Sequence, residues 1–557
     1  MKKQLYAATM VSAAMFLAAC EGDDGLNGID GTDGADGFNS LIAFRDIPRG
    51  DDVCLGGGTA VDSGLDTNRN NILDAGEVQA SEIVECAATP TIRALHASPD
   101  APAVNIWVNG APALTGVDYS QGSGFVPVVE ENNIQVEAIL PGDDAVVIDA
   151  DLNLDYSTET TVIATRNLAD NGGVPFPLVI TNPSDERITE GSFRAQVVHA
   201  APSAPDVDVY VTTVGADLAG SAPVNGAMNP LGFEGVTDRA EVPAGDYQIR
   251  ITAAGDPDAV VYDTGDTPIT LPAGADLMIV AVENTGPGET PVQLIVLDGT
   301  TASTLYDADT PASVVAVHLS PDAPAVDLLA DVNGTPEDEA LPLVRNVSYT
   351  EFCDLNGVPA PGDYTVNVVA NADNSIVAHS IPVNVMKGDE ALAIVSGFLS
   401  SGDPVITDIT LPGNTRSVIT ETKLRITHGS PSTPAVDLYL VADGTDINGV
   451  EPNFAGVTFG QDTMQLSLPA GIYDAYVTVA GSKDPAITLP DLDFAGGEVL
   501  DVIARDAFGE ETLPQAVVID YSAVAACPAP DAVSVLSLIH ISEPTRQYCQ
   551  SRMPSSA

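Results

Sequence analysis

The chain has 557 residues, with 79 Asp and Glu against 20 Lys and Arg, a net charge of −59 at neutral pH. A field of that sign repels nucleic acid and anionic lipid surfaces, so neither is an expected partner. High acidity also keeps a protein soluble at high ionic strength, where self-repulsion is screened, and this fits a saline habitat.

At the amino terminus Lys2 and Lys3 precede an apolar run from Leu5 to Leu17, the order of a secretory signal and too short to span a bilayer. The run ends in Leu17-Ala18-Ala19-Cys20, which resembles the lipobox of bacterial lipoproteins. That resemblance implies cleavage after residue 19, acylation of Cys20 and a lipid bilayer as partner. Glu21 stands where an aspartate would retain a lipoprotein in the inner membrane, so an outer-membrane, preferably surface, location is expected. Residues 20–40 then place Gly at every third position from Gly22 to Gly37, a period that resembles collagen. Without proline the segment reads as a hydrated, flexible tether.

Residues 41–90 read as a small module. Cys54 and Cys86 bracket a loop-rich stretch of an exported chain and are expected to form a disulfide. Between them, Asp66, Asn68, Asn70, Asp74 and Glu77 put side-chain oxygens at loop positions 1, 3, 5, 9 and 12, with the Ile72 carbonyl at 7. This is the EF-hand spacing for Ca2+, departing from it only in Asn71 where glycine is usual. Asparagine is the least costly residue for a left-handed turn there, and a lone loop of this kind is expected to bind weakly.

From residue 91 one unit is written four times. The stretch His96-Ala-Ser-Pro-Asp-Ala-Pro returns in altered form at His199, His318 and His428, spaced 103, 119 and 110 residues apart. That period suits self-sufficient domains, placed at 91–185, 192–300, 312–412 and 421–522. Alternating strands, such as Val207-Asp-Val209-Tyr-Val211, predict an all-β chain: four tandem Ig-like antiparallel sandwiches after the signal, the tether and the disulfide-stapled module. In three copies a Pro/Gly turn feeds Tyr247, Tyr364 or Tyr473, which resembles the tyrosine corner of immunoglobulin-type sandwiches. The histidine motif resembles that of a bacterial envelope repeat family catalogued as a domain of unknown function. The tether and the module resemble companions found in lipoproteins of marine Gram-negative bacteria. The resemblance implies an extracellular β-sandwich and no site residues.

Each histidine continues an apolar strand face, so a structural role at a strand end is expected. Asp208, Asp327 and Asp437 lie out of phase with their buried neighbours and are expected in solvent, as are Trp107, Tyr210, Leu329 and Tyr439. No nucleophile elbow, phosphate loop or zinc-protease motif is found, and no enzyme is expected. Cys353 and Cys527 remain, either joined to each other or with Cys527 paired to a missing segment. After a tail at 523–535, residues 536–557 resemble the translation of a sequencing-library adapter, so the natural carboxyl terminus is expected to be missing.

The reading is of a surface-displayed rod for adhesion, scaffolding or binding an unidentified protein or glycan. Two others stand beside it: the spacer of a secreted enzyme whose catalytic domain lies beyond residue 535, and a periplasm-facing assembly lipoprotein.

Overall fold

The computed structural model describes residues 37–528, apart from 143, 225–229, 333–340, 356 and 401. The signal segment, Cys20, nearly all of the tether and the 536–557 tail lie outside the described residues. The described residues divide into two compact units, 37–87 and 88–528.

The first unit is a three-stranded antiparallel sheet, β1 (Asn39–Ile47), β2 (Gly58–Asp66) and β3 (Val78–Cys86), with β2 central. One face of β2 alternates into a small core with Ile47 and Cys54, and the Cys54–Cys86 disulfide joins the loop before β2 to the end of β3. So little apolar surface is buried that a covalent staple is expected to matter.

The second unit holds the four repeats, and the first shows their plan. Its strands are β4 (Thr91–His96), β5 (Val104–Val108), β6 (Ala111–Val117), β7 (Val126–Pro127), β8 (Glu131–Ala138), β9 (Ala145–Asn153), β10 (Thr158–Thr165) and β11 (Phe176–Pro183). They form two packed sheets of order β11-β10-β4-β7 and β6-β5-β8-β9. The third and fourth repeats repeat this order strand for strand, and the second varies it at the sheet edges. Most pairs are antiparallel as expected, but in every repeat the first strand runs parallel to the seventh.

The tyrosine corners are present. Tyr247, Tyr364 and Tyr473 hydroxyls donate to the carbonyls of Pro243, Pro359 and Pro469 at 2.7, 2.6 and 3.1 Å. In the first repeat the strand register puts Asn132 at this place, and its amide donates to the Val129 carbonyl at 2.7 Å. A shorter side chain thus does the same work from one residue nearer.

The repeats are not strung out as a rod. The sheet containing the first strand is buried on both faces: in the second repeat Val197, Ile279 and Leu294 face its own sandwich, while Val198, Val280 and Ile295 face Leu95, Ile163 and Ile180 of the first. The third and fourth repeats pair likewise, Val315, Val317 and Leu392 meeting Ile503, Val517 and Ile519. A second bond joins this pair covalently, Cys353 to Cys527, and Asp354 pairs in parallel with Ala526 so that the tail extends the third repeat's sheet edge.

One hydroxyl locks each pair. Tyr119 donates to the Glu283 carbonyl at 2.6 Å and Tyr349 to the Asp506 carbonyl at 2.9 Å. The second and fourth repeats carry Phe233 and Phe459 at that place, so the ring fits without the oxygen. Tyr119→Phe and Tyr349→Phe should each lower stability by about 1 kcal/mol with the fold intact. Urea unfolding midpoints check this, and an unchanged midpoint in both would remove the hydroxyls from the account.

Candidate functional site

Each repeat ends its first strand in a buried histidine, His96 being 2% exposed, and closes the following Pro-rich loop over it. The imidazole Nε2 lies 2.9, 3.0, 3.1 and 3.2 Å from the carbonyls of Pro102, Pro205, Pro324 and Pro434. In three repeats Nδ1 accepts from a backbone N–H two residues on, at 3.3–3.4 Å, which assigns the proton to Nε2. In the fourth, His428 Nδ1 has no partner. A perpendicular aromatic ring, Tyr119, Phe233, Tyr349 or Phe459, stands beside each imidazole at 6.2–6.5 Å. Burial, countered in part by the Pro102 carbonyl, takes His96 down to about 4 from 6.5 and lowers His199 and His318 as well. His96, His199 and His318 are neutral imidazoles holding a turn, with both nitrogens occupied.

The aspartates expected in solvent are buried. Asp327 is 0% exposed; it accepts from the N–H of Asn346 and the amide of Asn371. Asp437 accepts from the N–H groups of Gly456 and Gly481, and Asp208 from that of Gly255. The outward phase was right, but bulges and turns at left-handed residues fold over that face and aim their N–H groups at the carboxylates. Tyr210 and Tyr439 are buried too, Tyr439 under the short turn that carries Ile447, while Trp107 and Leu329 are half-buried. Among the described residues, no exposed aromatic stripe runs along the repeats.

The Ser-Pro-Asp loop differs between alternate repeats. Asp100 accepts from the N–H groups of Leu168 and Ala169, and Asp322 from those of Leu399 and Ser400. In the second and fourth repeats serine replaces that aspartate and the acid is on the facing loop: Ser203 N–H donates to Glu283, and Ser432 Oγ to Asp506. The Asp/Ser exchange is legible in the four motif copies, but its meaning depends on the facing loop, which the motif does not contain.

Where the pairs meet, Arg416 lies buried between the third and fourth repeats and reaches the first. Its guanidinium donates to the carbonyls of Pro99 at 3.0 Å and Ala101 at 2.7 Å and pairs with Asp118. Nearby, burial and then the Arg416 charge bring the Lys423 ammonium down to about 8. A polar cavity of about 400 Å³ opens here between Asp118, Asn284, Tyr306, Glu390 and Arg416.

In the first unit the acidic loop is closed on itself. Asp66 Oδ1 and Oδ2 accept from the N–H groups of Asn70 and Asn71, and Asn71 takes the left-handed turn at φ 62°. Glu77 Oε1 accepts from Thr67 and Asn68, and its Oε2 from the Asp74 N–H. The Asn68 and Asn70 amides both donate to Asp74 Oδ2, at 2.6 and 2.9 Å. Asp66 and Glu77 Oε2 keep free lone pairs, and turning the two amides would direct oxygens to the point their hydrogens fill; in that sense the donor set fits a hard cation. No group of three or more acidic, His or Cys side chains that could hold a metal ion is found among the described residues.

The architecture is that of a tandem β-sandwich repeat protein. The domain-of-unknown-function family DUF4397 matches residues 90–210, 216–329, 312–439 and 422–543, and the chain belongs to that family. A second domain of unknown function, DUF7151, matches residues 39–84. No curated protein matches the chain. Among solved structures, the Bacillus anthracis TIE protein is similar at 11% identity over 85% of this chain and 76% of that one, with a TM-score of 0.14. A score that low carries no argument.

The depressed imidazoles of His96, His199 and His318 give the fold a pH dependence. His96 at about 4 folded against 6.5 unfolded means that the unfolded chain binds the proton first, so stability is full above 6.5 and is lost as pH falls towards 4. The loss at His96 amounts to roughly 3 kcal/mol. His96→Gln should be less stable at pH 7.5 and show a flatter dependence between pH 6.5 and 5, read by urea unfolding; parallel curves for the two proteins would contradict a neutral, buried His96.

Proposed function

We propose that this protein is a surface-displayed bacterial lipoprotein, anchored through acylated Cys20, whose repeats serve as non-enzymatic adhesion, scaffold or binding modules for a protein or glycan. The observation that carries this reading is the use of the recurrent polar groups. The four histidines and the motif acids hydrogen-bond loops of their own sandwich, as structural groups do. The paired repeats support presentation of the variable outer loops on a stiff base, the usual arrangement for recognition on β-sandwiches. The test is on cells: the wild type and a Cys20→Ala variant are compared for labelling by radioactive palmitate, for digestion by protease added outside intact cells, and for cell attachment to protein and glycan arrays. The reading expects all three in the wild type and loss of all three in the variant. A wild type protected from external protease would place the repeats in the periplasm instead.

Calcium fits the same reading as a stiffener of the first unit. Asp66, Asn68, Asn70, Asp74, Glu77 and the Ile72 carbonyl would hold it, with the millimolar-range affinity of extracellular modules. Added calcium should raise the melting temperature of the full chain's first transition, half-saturating at roughly 10⁻⁴–10⁻³ M. Glu77→Gln, which keeps the side-chain shape, should abolish the rise. A rise of equal size in the variant would assign the effect to screening of the acidic surface.

A further inference from the structure

The third repeat is hollow. A cavity of about 370 Å³ lies between its two sheets, within the range of sites that hold small molecules. Its origin is readable residue by residue. Strand registers align Ala316 with Val197 and Ile426 in the second and fourth repeats, Ala330 with Val211 and Leu440, Ala391 with Leu277 and Leu500, and Ala393 with Ile279 and Val502. At all four places branched or longer side chains fill the other two sandwiches and a methyl lines this one. Ala391 and Ala393 are half-buried on a face that points into the sandwich, because the space before them is open.

The wall is apolar. Two polar side chains deep in it are committed elsewhere: His318 Nε2 lies 3.1 Å from the Pro324 carbonyl with Nδ1 accepting from Ser320 N–H, and the Tyr364 hydroxyl donates to the Pro359 carbonyl. No buried side-chain polar atom without a partner faces the cavity among the described residues. Water therefore finds few partners there, and an unfilled apolar cavity of this size is costly. The wall runs out to Val383 and Val385 on the edge strand Asp373–Val385 and to Thr410 and Pro412 on the edge strand Thr407–Pro412. These edges are neighbours, for His379 Nε2 on the first lies 2.9 Å from Asp408 Oδ1 on the second. Asp389 and Glu390 line the polar part of the wall, where they would repel an anionic head group.

We propose that the third repeat binds an uncharged hydrophobic molecule, a single alkyl chain or a terpenoid ring, between its sheets, entering between these two edge strands. The site is independent of the display reading above. Full-length protein is titrated with the neutral fluorophore N-phenyl-1-naphthylamine, and the bound dye is displaced by dodecan-1-ol or by dodecanoate. Saturable dye binding, displacement by the alcohol and much weaker displacement by the anion are expected. Ala391→Leu with Ala393→Ile, the residues of the second repeat, should weaken dye and alcohol binding on the order of tenfold or more. The melting temperature should hold or rise, since the substitutions fill a void. Ala393→Val, the residue of the fourth repeat, is the milder variant should the double one fail to fold, and it should give an intermediate loss. Absence of saturable binding in the wild type, or unchanged binding in a folded filled variant, overturns the proposal; displacement by alcohol and anion alike overturns the assigned ligand charge.

Discussion

The structure of the repeats depends on one sheet that is buried on both sides. In each sandwich the sheet that contains the first strand covers its own core with one face and its partner repeat with the other, so its strands lose the alternation of a half-exposed strand; Thr422–His428 is buried at every position. Each aliphatic side chain on the second face adds about 1.5–3 kcal/mol by leaving water. A repeat standing alone would expose that face, a contiguous apolar patch of the kind soluble monomers avoid. The stable unit of the chain is therefore a pair of sandwiches.

Pairing also accounts for where the few cations lie. Arg93, Arg194, Lys423 and Arg425 sit on the second face and are buried, Arg93 bonded to the Thr161 hydroxyl and the others to Asp276, Asn414 and Asp501. Arg239 of the second repeat reaches Glu159 of the first at 2.8 Å and shares Asp276 with Arg194. Buried ion pairs add little net stability, but a missing partner is costly. A first repeat facing the fourth would bury Glu159 without Arg239, so the charges select the neighbour while the aliphatic side chains supply the attraction.

The four-fold repetition, the all-β class and the phase of the histidines could be read from the chain because each rests on a short-range pattern: a motif spacing, a period of two, a turn before a tyrosine. What escaped was what one element does to another. Asp327 alternates outward as its strand demands, and its burial comes from Asn346 and Asn371, which lie elsewhere in the sequence. Tyr210 and Tyr439 are covered by loops in the same way. The pairing of repeats left marks in the motif itself, Asp100 and Asp322 against Ser203 and Ser432, Tyr119 and Tyr349 against Phe233 and Phe459, and these gain meaning only once the facing loop is known. The hollow in the third repeat was hidden for a related reason: alanine at strand positions is unremarkable until a register aligns it with valine, leucine and isoleucine in the second and fourth copies.

The family matches and the folding units divide the chain differently, and hydrogen bonding decides between them. Residues 312–329 and 422–439 each fall in two matches, and the first match ends at 210, inside the second sandwich. Each of the first three spans thus takes in the first two strands of the repeat that follows. The strands themselves pair otherwise: Ser192–His199 lies against Asp276–Glu283, and Val207–Thr212 against Gly245–Ala253, all within the second repeat. A cut at the boundary between the first two matches would remove both opening strands from the second sandwich, uncover Val280 and Ile251, and leave Gly245–Ala253 as a new open edge. The histidine turn joins those two opening strands, so it is the step by which the chain crosses from the paired sheet to the outer one. Its imidazole fixes that crossing with bonds to the turn alone, which is why the same turn can serve every repeat while the residues around it vary from one partner to the next.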